Sequence, residues 1–179
     1  IREVDAVIHM IRCFDSKDIQ NVNSTIDPVR DLEIIETEMR LADLESIQKR
    51  LDKKNKKNSS DNEINILETA LDSINNDKNV EEILNKNYSK KELHQTGLLS
   101  TKPKLFVCNV DEKSISEGNS YTKAFISKFG EKNTIIISAD IENQINQLES
   151  EEKINYMKMI NLKETGLNIL IKKGYELLE

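Results

Sequence analysis

Lys104-Leu105-Phe106-Val107-Cys108-Asn109-Val110-Asp111-Glu112 is the stretch whose reading decides the fold. Its apolar run is short and continuous and ends in a polar, acidic turn, the pattern of a strand covered on both faces. Pro103 just before it holds Lys102 in extended geometry. A second run, Thr134-Ile135-Ile136-Ile137, ends in Ser138-Ala139. Between them, Ser120 to Gly130 carries Ala124, Phe125 and Phe129 at helical spacing, the inward face of a crossover helix. Strand, helix and strand in this order imply a parallel, right-handed α/β sheet. Ligands of such sheets sit outside the carboxyl ends of the strands. Asn109 to Glu112 occupies that position for one strand and Ser138-Ala139 for the next. An amide, a carboxylate and a small backbone turn at one edge are the groups needed to hold a purine.

Upstream, Ala6 to Ile11 reads as another strand, followed by an irregular stretch from Phe14 to Ile26. Asp27 is a natural N-cap, with Pro28 at the first helical position, where a missing N–H costs nothing. Apolar residues then recur at Leu32, Ile35, Met39 and Ala42, and again at Leu44, Ile47 and Leu51, predicting a long amphipathic helix whose stripe shifts near its middle. From Lys49 to Asp61 the chain is nearly all Lys, Asn and Ser. A second stripe follows at Ile64, Leu67, Leu71 and Ile74, which Val80, Ile83 and Leu84 continue. Two stripes joined by a polar tip predict an antiparallel helical hairpin. Another short helix is expected between Ser89 and Ser100. The last third reads as helical, with Ile141, Ile145 and Leu148 on one face, then Ile154, Met157 and Ile160, and finally Leu167 to Leu178 after Gly166.

Composition narrows the function classes. With 4% aromatic residues and no Trp, the core must be built from Ile, Leu, Val and Met. A net charge of -6 gives no overall attraction to nucleic acid or to an anionic membrane, so neither a DNA partner nor a membrane is expected. Two cysteines, Cys13 and Cys108, each end an apolar run, which suits reduced, half-buried thiols in a cytoplasmic protein better than a disulfide framework or zinc site. Asn-x-Ser/Thr triplets at Asn23, Asn58 and Asn87 follow from the Asn-rich composition. No apolar run approaches the roughly 20 residues of a membrane span, and no signal-peptide pattern opens the chain. His9 and His94 stand alone, in core and surface roles respectively. No nucleophile–base pair and no set of metal ligands is expected.

The turn Asn109-Val110-Asp111-Glu112 resembles the fourth motif of the translation-factor-type GTPases, Asn-Lys-x-Asp, and Ser138-Ala139 resembles their fifth. The wider text is more specific: Ile11-Arg12-Cys13-Phe14, Asp27 to Ile35, Leu41-Ala42-Asp43-Leu44-Glu45, and Leu99-Ser100-Thr101-Lys102-Pro103. Together these stretches resemble the YchF/Obg-like ATPase family over nearly the whole chain. The resemblance implies a parallel-sheet P-loop NTPase domain of the G type with an inserted antiparallel α-helical coiled-coil hairpin. Residues 1–27 and 98–179 are then the C-terminal part of the nucleotide-binding domain, and 28–97 the inserted hairpin. It also implies a cytoplasmic nucleotide hydrolase, associated with ribosomes or translation, that uses ATP or GTP with Mg2+.

The resemblance places the base of the nucleotide against Asn109, Val110, Glu112, Ser138 and Ala139. Asn109 would face the N7 side. An Asp at position 112 would accept from both N1–H and the 2-amino group of guanine; Glu112 carries its carboxylate about a bond length further, and Val110 removes the charge of the usual Lys. ATP is therefore expected to be favoured over GTP. The family's phosphate-binding loop, first switch and Asp-x-x-Gly motif precede the residues matched here, and its TGS domain follows them. Ile1 in place of an initiator Met fits a segment of a longer polypeptide. Phosphate and metal ligands are then not among these residues, and the segment alone is expected not to hydrolyse nucleotide. Asn21 stands where the family commonly has His.

The tip lysines, among them Lys53, Lys54, Lys56 and Lys57, suit either a solvated turn or contact with ribosomal RNA phosphates or a partner protein. An alternative of another class is a non-catalytic interaction module acting through the hairpin. A Gly-rich loop ending in Gly-Lys-Ser/Thr upstream of Ile1 would distinguish the hydrolase from the binder.

Overall fold

The computed structural model describes residues 3–16, 25–54, 61–76 and 78–178; for Lys53 and Lys54 only the backbone is described. Asn21, Asn23, Lys56, Lys57 and Asn58 lie outside the described residues. The chain divides into two compact units, one of residues 1–7 and 33–103, the other of residues 8–32 and 104–179.

The second unit contains a three-stranded sheet in the order β1 (Val7–Arg12), β2 (Lys104–Asn109), β3 (Thr134–Ile137). Val7 N–H donates to Pro103 O and Cys13 N–H to Asn109 O, two bonds at one constant offset, so β1 and β2 run parallel. β2 and β3 are parallel in the register Phe106 with Thr134 through Asn109 with Ile137. Leu105 to Cys108 are all buried, as expected of the central strand of an α/β sheet. β1 instead alternates: His9 and Ile11 face inward, whereas Ile8 and Met10 are more than half exposed.

The helix between β2 and β3, α5 (Ser120–Phe129), begins at Asn119, whose side chain accepts from Thr122 N–H, while Thr122 returns a bond to the Asn119 backbone. Phe125 is fully buried and meets Phe106 edge-on at 5.6 Å and Phe129 at 4.8 Å. Ala124, expected on the inward face, is exposed, and Thr122 takes the buried position three residues before Phe125. The two thiols are fully buried in the same cluster rather than half-buried. A hydrogen bond to Cys108, and burial after it, push the Cys13 thiol far above its ordinary value.

After β3 come α6 (Ala139–Gln147), α7 (Ser150–Met159) and α8 (Gly166–Leu178). Ile141 and Ile145 anchor α6, as their spacing predicts, but Ile154 in α7 is exposed and Tyr156 and Met157 are half-buried in its place. Gly166 opens α8 rather than preceding it, and only glycine fits there, since a Cβ would sit 2.5 Å from Ile137 Cγ2. Glu142 caps this helix, its carboxylate accepting from Gly166 N–H at 2.6 Å.

The first unit is helical. The long helix α1 (Pro28–Lys54) starts in the second unit and continues here, followed by α2 (Asp61–Asn75), α3 (Val80–Asn87) and α4 (Lys90–Thr96). Arg50, late in α1, pairs with Glu63, early in α2, and Ile47 packs with Ile66, Leu67 and Ala70. The two helices therefore fold back along each other. Val80, Ile83 and Leu84 do not prolong α2: Asn79 caps a separate helix by accepting from Glu82 N–H. α4 begins with a capping box between Ser89 and Glu92 and ends at Gly97, whose φ of 64 is the left-handed conformation of a helix stop.

In α1, Leu32 and Ile47 are buried as expected, Ile35 is exposed, and Asp43 takes a further buried position. The Asp43 carboxylate accepts from Leu99 N–H at 2.9 Å and from Ser100 N–H and its hydroxyl, both at 2.8 Å. Leu41 to Glu45 and Leu99 to Pro103, two of the stretches that carry the family resemblance, are thus joined through one carboxylate.

Candidate functional site

The site is built where β2 and β3 end side by side. Asn109 is the last residue of β2, and its side-chain Oδ1 accepts from the N–H of Ala139 at 2.9 Å. Ala139 is the first residue of α6, so this bond ties one strand-end turn to the other across the sheet edge. Val110 N–H donates to Ile137 O at 2.8 Å and continues the β2–β3 ladder one residue past the strands. Its side chain lies in the core with Ile11, Phe106 and Phe125, so Val110 fixes the start of the turn from below.

Asp111, which the sequence does not single out, sets the shape of the turn. Its carboxylate accepts from Ser114 N–H at 3.1 Å and caps a single 3₁₀ turn, Glu112–Ser114. Glu112 is thereby presented at the exposed edge, where its Oε1 accepts from the Gln144 side-chain amide at 2.6 Å. The Tyr156 hydroxyl in turn donates to Gln144 Oε1. Neither Gln144 nor Tyr156 could be found by motif: they reach the site only because α6 and α7 carry them there.

Ser138 is fully buried, and its hydroxyl Oγ has no hydrogen-bond partner within the described residues. A buried hydroxyl left in this state is costly unless something else supplies a partner. Nearby, the Asn119 side chain donates to Cys13 O at 2.6 Å, holding the exit of β1 against the start of α5. Arg12 stacks over the Phe14 ring at 5.1 Å and donates to Phe14 O, which accounts for two of the residues in the Ile11-Arg12-Cys13-Phe14 stretch as a local brace.

Of the residues expected at the site, Asn109, Val110, Glu112, Ser138 and Ala139 converge on one sheet edge. Lys56 and Lys57 lie outside the described residues, and the side chains of Lys53 and Lys54 are not described. His9 is buried and stacks on Phe106 at 5.8 Å, while the His94 side chain is 53% exposed, so neither joins the site. Among the described residues, no group of three His, Cys, Asp or Glu could hold a metal ion, and no helix is long and apolar enough to cross a membrane.

No family model matches the chain. It is 36% identical over 188 residues to the ribosome-binding ATPase YchF of Haemophilus ducreyi, covering 99% of this chain and 51% of that protein. The ribosome-binding ATPase YchF of Bacillus subtilis is 33% identical over 187 residues with the same coverage. Among solved structures, the YchF GTPase of Schizosaccharomyces pombe superposes with a TM-score of 0.79 at 26% identity, over 99% of this chain and 51% of that one. The chain thus spans about half the length of the relatives it matches. Along nearly all of its own length, in sequence and in fold, the chain is similar to these YchF proteins.

Proposed function

We propose that these residues form the base-reading part of a purine-nucleotide site in a nucleoside triphosphate hydrolase of the YchF type, with ATP preferred over GTP. The Asn109 Oδ1–Ala139 N–H bond carries this reading, because it joins the two turns that a base would lie between. In the intact protein, Asn109→Ala should weaken ATP binding by about tenfold or more, since it removes a base contact and loosens Ala139 together. An unchanged affinity in a fluorescent-nucleotide titration would count against the site.

The preference for ATP follows from the acidic residue. An Asp carboxylate at position 112 would meet both guanine donors at once, and a site built so rejects bases that lack them. Glu112 is one methylene longer and is held by Gln144, so the two-point fit to guanine is lost.

The phosphate and metal end does not fit these residues. The sequence contains no Gly-x-x-x-x-Gly-Lys-Ser/Thr, and the described residues hold no metal-binding cluster. No step of phosphoryl transfer is assigned to them, because transition-state stabilisation there depends on a phosphate-binding Lys and metal ligands. A purified chain of these 179 residues should show no magnesium-dependent ATP turnover, and measurable turnover would contradict the assignment.

Residues 28–97 are read as a helical hairpin inserted into the nucleotide-binding part formed by 1–27 and 98–179. Its Lys-rich tip is read as a contact for ribosomal RNA phosphates in the cytoplasm, a reading that the ribosome-binding names of the relatives support. Replacing Lys53, Lys54, Lys56 and Lys57 by Ser should abolish or sharply reduce co-sedimentation with ribosomes at low salt. Undiminished co-sedimentation would remove the tip from the interface.

A further inference from the structure

Glu112 does not stand alone at the sheet edge. Its Oε1 accepts from Gln144 Nε2 at 2.6 Å, and Gln144 Oε1 accepts from the Tyr156 hydroxyl. The orientation of the amide follows from this order. A hydroxyl that donates to the amide oxygen fixes that oxygen towards α7, which leaves the NH2 group facing Glu112. A carboxylate without such a neighbour offers two oxygens side by side, the arrangement that accepts two parallel N–H donors from one planar partner. Each oxygen can accept more than once, but the bond from Gln144 pins Oε1 and with it the tilt of the carboxylate, so that only one oxygen is left aligned with a planar base.

We propose that Gln144, oriented by Tyr156, is a positioning residue for base selection: by pinning one oxygen of Glu112 it turns a two-point acceptor into a one-point acceptor. The inference rests on the purine-site reading above and adds its selectivity element. Guanine presents N1–H and a 2-amino group on one edge, whereas hypoxanthine presents N1–H without the amino group. A one-point acceptor cannot tell these two bases apart, and a two-point acceptor can.

The test compares ATP, GTP and ITP binding to the intact protein and to its Gln144→Met and Tyr156→Phe variants. Methionine keeps the length and helix preference of Gln144, and phenylalanine keeps the Tyr156 ring. The two variants break the relay at different points, so agreement between them separates the relay from any local packing defect. In the unsubstituted protein, GTP and ITP should bind within about twofold of each other, because only one donor is served. In either variant GTP should bind about fivefold more tightly than ITP, the worth of one further hydrogen bond, while ATP affinity changes less. A GTP-to-ITP ratio that is the same in all three proteins overturns the proposal, as does an unsubstituted protein that already favours GTP over ITP fivefold. If instead none of the three nucleotides binds, or Asn109→Ala leaves every affinity unchanged, the purine site itself fails and the relay with it.

Discussion

At the scale of single residues, the chain uses short polar side chains to fasten its turns. Asn109 is legible as the amide that ends an apolar strand and is read from the sequence as a base contact; in the fold its Oδ1 accepts from Ala139 N–H. Asp111 is not legible, since its value lies in the local conformation it imposes on residues up to Ser114. Gln144 and Tyr156 leave no trace in the sequence around Glu112, because helices bring them there from more than thirty positions away. Cys13 and Cys108 were placed in the apolar runs correctly, yet their mutual contact depends on the parallel pairing of β1 and β2. Thiolate is the reactive form; the raised pKa suppresses it at Cys13, whereas Cys108, which the bond from Cys13 holds below its ordinary value, is shielded by complete burial. Neither thiol should therefore react with an alkylating reagent in the folded protein at neutral pH, while both should react in denaturant; rapid labelling of the folded protein, followed by mass spectrometry, would contradict this.

At the scale of elements, periodicity located most helices and misjudged where some of them turn inward. The shift of stripe in α1 hides the fact that Asp43, a charged residue, takes a buried position. Its cost is offset by two backbone donors and one hydroxyl donor from Leu99 and Ser100. Asp43→Ala should destabilise the helical unit by about 3 kcal/mol, because it strands buried donors, whereas Asp43→Asn, which keeps an acceptor oxygen, should cost less. Chemical denaturation of both variants measures the difference, and equal midpoints would argue against the latch. The break between α2 and α3 was missed because Asn79 can cap a helix as well as sit in one, and the apolar spacing across it is nearly continuous. In α5, Phe125 fills the space between Phe106 and Phe129 with no exposed surface. Phe125→Ala should cost about 3–5 kcal/mol of stability through the cavity it leaves, and a loss below 1 kcal/mol in urea unfolding would show that the cluster collapses to fill it.

At the scale of the whole molecule, the alternation of strand, helix and strand around Lys104 to Ile137 was enough to anticipate a parallel sheet, and resemblance supplied the family. The division into units was harder to read, because α1 and β1 each run across it. Ile8 and Met10 on β1 are exposed, in contrast to the covered interior of β2. What the fold does achieve is to bring Asn109, Glu112, Ser138 and Ala139 to one place from two strand ends thirty residues apart, and that convergence is the basis for assigning them to one ligand.

The central claim is that this edge selects adenine over guanine nucleotides. Titration of the intact protein with ATP and GTP tests it most directly: ATP should bind more tightly, and GTP binding tenfold tighter than ATP would contradict the account.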